Sequence, residues 1–66
     1  MKDAIPRLFA DITAKLEDTH MIALEGQRRD NTPDMQRVLA SQLRMGVASL
    51  DTSLAKIERR LGDDHD

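Results

Sequence analysis

The sequence predicts an all-α protein, an antiparallel two-helix hairpin that dimerises into a four-helix bundle. Three observations predict it. Apolar residues recur at heptad spacing through most of the chain. One strong turn-and-restart signal, Asp30-Asn31-Thr32-Pro33-Asp34, divides it in two. The apolar residues also outnumber those that the seam of a lone hairpin would use.

The first helix is expected over about residues 3–28. Pro6 falls in its first turn, where the missing N–H costs little, and Asp3 suits the positive end of the dipole. Ile5, Ile12, Thr19 and Gly26 form one heptad series, and Phe9, Leu16 and Ala23 the other. Gly26 is a candidate C-cap. After a turn over about residues 29–32, the second helix is expected over 33–61. Thr32 is its N-cap, Pro33 its first residue, and Asp34 lies in the first turn. Ala40, Val47, Leu54 and Leu61 interleave with Leu43, Leu50 and Ile57. Gly62 stands where a capping glycine belongs, and Lys56, Arg59 and Arg60 favour the negative dipole end. The acidic tail 62–66 is expected to be solvated. The whole chain 1–66 is one helical-hairpin domain.

A short turn forces the helices antiparallel. The seams then pair Ile5 with Leu61, Phe9 with Ile57, Ile12 with Leu54, Leu16 with Leu50, Thr19 with Val47 and Ala23 with Leu43. Left over are Leu8, Met21, Ile22 and Leu24 on the first helix, and Met35, Val38, Leu39 and Met45 on the second. These are the candidate oligomer or partner interface, because a contiguous exposed apolar patch marks an interaction site. Leu39, Gly46 and Ser53 share a line beside the second seam, and small residues there permit close helix approach.

Composition points the same way. With 66 residues the chain buries only roughly 60% of the surface its unfolded form exposes, so stability needs help. It has no cysteine, which excludes disulfides and thiolate zinc sites and leaves regular packing and oligomerisation. The net charge of −2 and the single aromatic residue, Phe9, count against a nucleic-acid binder and against a stacking platform for single strands. No apolar stretch reaches membrane-spanning length, and the N-terminus lacks a secretory pattern. The expectation is a cytoplasmic protein with no cofactor and no small-molecule substrate.

Chemistry-bearing constellations are weak. Glu17 and His20 match Glu-x-x-His, but a di-iron bundle needs further inward carboxylates, and neither Asp51 nor Glu58 is placed to supply one. The serines lack a base and an oxyanion partner, and no glycine-rich phosphate loop occurs, so no enzymatic activity is expected. Asp3 and Arg7, Asp11 and Lys15, Glu25 and Arg29, and Asp34 and Arg37 are spaced as ordinary helix-surface ion pairs. Arg28, Arg29, Arg37 and Arg44 make the densest basic region, a candidate anion or nucleic-acid contact.

The leading expectation is therefore a small non-enzymatic interaction protein, a dimeric adaptor or regulator that binds another protein through a helical face. The alternative is an RNA- or DNA-binding regulatory bundle using the basic cluster near the turn. The layout resembles that of Rop, a dimeric helical hairpin that binds paired RNA loops. That likeness is one of architecture and carries over no residue.

Overall fold

The computed structural model describes residues 4–63. Helix α1 spans Ala4–Gly26 and helix α2 spans Pro33–Asp63. They pack antiparallel as a hairpin about 53 Å long. Asp3, and with it the pair expected with Arg7, lies outside the described residues.

The turn is built from local hydrogen bonds. At the end of α1 the Gln27 and Arg28 amides donate to the carbonyls of Leu24 and Glu25, at 3.1 and 3.2 Å. Asn31 Nδ2 donates to the Glu25 carbonyl at 2.7 Å. Carbonyls that a helix end leaves unpaired are thus satisfied by a tightened last turn and one side chain. This corrects the expectation of glycine caps. No glycine among the described residues has positive φ, so Gly26 does not act as a left-handed cap. Gly62 lies inside α2, which continues to Asp63.

Helix α2 starts as its sequence predicts. Thr32 Oγ1 accepts from the Met35 amide at 3.1 Å, and the Thr32 carbonyl accepts from the Gln36 amide at 2.9 Å. Pro33 follows, with no amide to satisfy. Thr32→Ala is expected to lower unfolding free energy by about 1 kcal/mol, the usual worth of such a cap. Urea denaturation followed by circular dichroism reads this directly, and Thr32→Asn should restore most of it.

Between the helices, the partly covered residues of α1 are Ile5, Leu8, Ile12, Lys15, Thr19 and Ile22, with Ala4 and Ala23 beside them. On α2 they are Leu39, Leu43, Gly46, Leu50, Ser53 and Ile57, with Ser49. Both sets keep heptad spacing, as antiparallel helices packed along a common seam require. Their alignment is fixed by three approaches. Asp11 meets Ser53, Lys15 meets Ser49 and Ser53, and Thr19 lies against Gly46. The expected pairing put Thr19 opposite Val47, so the alignment differs by one residue.

The face differs more. Leu8, Lys15 and Ile22 occupy the seam where Phe9, Leu16 and Ala23 were expected. Leu39, Gly46 and Ser53 replace Ala40, Val47 and Leu54. The physical reason is the line of small residues on α2. A Cβ on Gly46 would stand 2.9 Å from Thr19 Oγ1, so the backbones approach on this side as only glycine allows. The core of the hairpin is correspondingly thin. Among the described residues only Ile57, at 4% exposure, and Ser53, at 1%, are buried.

Candidate interaction surface

Turning the seam toward the small line frees the most apolar stripe of each helix. At about 100° per residue, Phe9, Leu16 and Ala23 lie about 80° round α1 from the seam, and Ala40, Val47, Leu54 and Leu61 lie about 80° round α2 in the same rotational sense. Because the helices run in opposite directions, equal rotations bring both series to one broad face of the hairpin. Phe9, Leu16, Val47, Leu54 and Leu61 are each about half exposed there. Ile5, Ile12, Leu43, Leu50 and Ile57 line the groove between them, partly covered or buried. The result is a continuous apolar face two helices wide.

The expected interface residues are distributed differently. Leu8, Ile22 and Leu39 are half-buried in the hairpin's own seam. Met21, Leu24, Met35 and Val38 are exposed near the turn and Met45 midway along α2, all away from the broad apolar face. The residues of the open face are those that heptad spacing alone places in the inner seam. The signal that separates the two was the line of Gly46, Ser49 and Ser53, which marks where the backbones come together.

The opposite broad face carries a closed hydrogen-bond network. Lys15 Nζ donates to Ser53 Oγ at 2.5 Å and to the Ser49 carbonyl at 3.5 Å, and pairs with Asp11 Oδ2 at 3.1 Å. Ser53 Oγ donates to the same carboxylate oxygen at 3.1 Å. No buried side-chain polar atom among the described residues lacks a partner. Hydrogen bonds from Lys15 and then Ser53 hold the Asp11 carboxyl below the ordinary carboxylate range. Asp30 is lowered in the same direction by Arg28. A carboxyl depressed in the folded state adds stability above its unfolded pKa and loses it as pH falls through the folded value. The thermal midpoint is therefore expected to drop as pH falls from about 5 to below about 3. Asp11→Asn should flatten part of that slope, and an unchanged slope would show that the network contributes nothing.

Two of the four arginines near the turn are paired. Arg28 bonds Asp30 through Nε and Nη2, at 3.1 and 3.0 Å, and lies 3.6 Å from Glu25. Arg37 bonds Asp34 at 2.8 Å. Glu25 thus pairs with Arg28 rather than with Arg29. Arg29 and Arg44 make no ion pair among the described residues. Glu17 and His20 are both exposed, and no three metal-ligating side chains come together among the described residues.

No family model matches this chain, and no match is found among curated proteins or solved structures. Any functional reading therefore rests on the surfaces themselves. No helix of the described residues is long and apolar enough to cross a membrane.

Proposed function

We propose that this chain is a small non-enzymatic interaction protein that works as a homodimer and offers a helical face to another protein. The observation that carries the reading is the continuous apolar face bearing Phe9, Leu16, Val47, Leu54 and Leu61, open along the whole hairpin. Its geometry supports a bundle. The centre of the apolar stripe on each helix points about 50° away from the line joining the helices, whereas a lone hairpin would aim it along that line. In a square four-helix bundle the core lies about 45° off that line, between two neighbours. A face as long as this hairpin and two helices wide presents on the order of 800 Å² per copy, enough for a stable interface.

In the dimer the apolar face is occupied, and the outward surface is left for a further protein. There Met21, Leu24, Met35, Val38 and Met45 supply apolar contacts, and methionine adapts its shape to a partner. The two-point pairing of Arg28 with Asp30, and its closeness to Glu25, weigh against a nucleic-acid reading of the basic cluster. Sedimentation equilibrium of the untagged chain over a wide concentration range tests the proposal. Twice the 7.4 kDa chain mass at micromolar concentration supports it. A folded monomer throughout the range would overturn it.

A further inference from the structure

Resting on that reading, we infer that the two copies pack with their turns at opposite ends, so that α2 lies antiparallel against α2 of the second copy and is held there by Arg44 with Asp51 and Arg37 with Glu58. Two independent patterns carry the inference.

The first is charge. One step round α2 from Val47 and Leu54, at the rim of the apolar face, stand Arg37, Arg44, Asp51 and Glu58, spaced by heptads and all exposed. Their sign reverses once, midway along the helix. A two-fold axis crossing α2 near Val47 brings Arg44 beside the partner's Asp51 and Arg37 beside the partner's Glu58. Each pairing occurs twice. Within the chain, Arg44, Asp51 and Glu58 make no ion pair among the described residues. The Arg37 pair with Asp34 is exposed on both sides and screened by water. With the turns at the same end, α2 would lie over the partner's α1. Arg44 would then meet the partner's His20, and Asp51 the partner's Thr13, without a complementary charge.

The second is size. The large side chains Phe9, Leu54 and Leu61 crowd the end of the hairpin away from the turn, and the small ones, Ala23 and Ala40, lie toward it. Opposed turns place Phe9 over the partner's Ala23 and Leu54 over the partner's Ala40, giving a core of even thickness. Turns at one end would stack large on large and small on small, against the close packing that cores require. The axis these pairings need passes near Leu16 on α1 and near Val47 on α2. The observed alignment of the hairpin sets those two residues at similar heights.

The chain has no cysteine, so a single one can be placed at will. A spin label on Gln27→Cys, exposed at the turn, reads the arrangement by dipolar distance in the dimer. Opposed turns predict a separation of roughly 35 Å, from the 1.5 Å rise per residue on either side of the axis. A separation below roughly 25 Å overturns the arrangement while leaving the dimer standing. A monomeric unlabelled chain in sedimentation overturns both, and the face then belongs to a different protein. Charge reversal gives a second readout. Arg44→Glu is expected to weaken self-association at least about tenfold, and adding Asp51→Arg to restore it. No loss, or a loss that the second change leaves in place, counts against the pairing.

Discussion

Val47→Glu is expected to leave the chain monomeric at concentrations where the proposed dimer forms. Val47 is more than half exposed in the hairpin and central on its apolar face. In the proposed dimer it meets its own copy across the two-fold axis. The substitution removes two valines whose exposed halves the dimer would bury, each worth about 1–2 kcal/mol, and sets two like charges together in a dry interface. The dissociation constant should rise by at least about a thousandfold. Helix content should fall as well, because among the described residues only Ile57 and Ser53 are buried within one hairpin. Sedimentation equilibrium and far-UV circular dichroism check both effects. Val38→Glu, on the flank of α2 away from this face, is the control and should leave the dimer intact. A Val47→Glu protein that remains dimeric would remove the apolar face from the account.

Gly46 supplies the second large effect, through a change of sign. Alanine at a helix-interior glycine ordinarily stabilises by about 1 kcal/mol. Here its Cβ would lie 2.9 Å from Thr19 Oγ1, a short branched side chain whose hydroxyl donates to the Lys15 carbonyl at 2.7 Å. Thr19 cannot swing aside without losing that bond, and overpacking of this kind costs about 1–3 kcal/mol. Gly46→Ala should therefore destabilise by about 1 kcal/mol net. In a Thr19→Ala background the obstruction is gone, and the same change should stabilise by about 1 kcal/mol. A double-mutant cycle by urea denaturation measures the coupling. Additive effects would mean that the helices are not in close approach at this point.

The hairpin itself was legible because its signals are local. Thr32 and Pro33 start α2 by their own chemistry, and a short turn leaves two long helices no arrangement but antiparallel. The alignment followed from the position of the turn to within one residue, Thr19 meeting Gly46 and not Val47. Which face each helix turns inward was not legible from periodicity. Ile5, Ile12 and Thr19 belong equally to a stripe with Phe9, Leu16 and Ala23 and to one with Leu8, Lys15 and Ile22. Spacing alone assigns the more apolar stripe to the nearest helix. The choice is made instead by Gly46, where small size lets backbones close, and by Lys15, whose amine finds Ser53 and Asp11. Asp11 and Lys15 read as a solvated surface pair because Ser53, the third member, is remote in sequence. Glycine at the ends of helices misled for a related reason. The turn carbonyls are taken up by Asn31 and a tightened backbone, which need no left-handed residue.

The Lys15, Ser53 and Asp11 network also governs how the two helices can slide. Heptad seams tolerate displacement by a whole repeat, since leucine for leucine is nearly degenerate. Sliding α2 one repeat in one direction would set Lys15 against Lys56 and Arg60, cation on cation. Sliding it the other way would leave the amine facing Gln42 and Gly46, with no hydroxyl to accept from Lys15 and donate to Asp11 as Ser53 does. Only the native stop gives the amine the Ser53 hydroxyl and the Ser49 carbonyl together, with Asp11 accepting from Ser53 in turn, so the chain should favour its native alignment over the neighbouring ones.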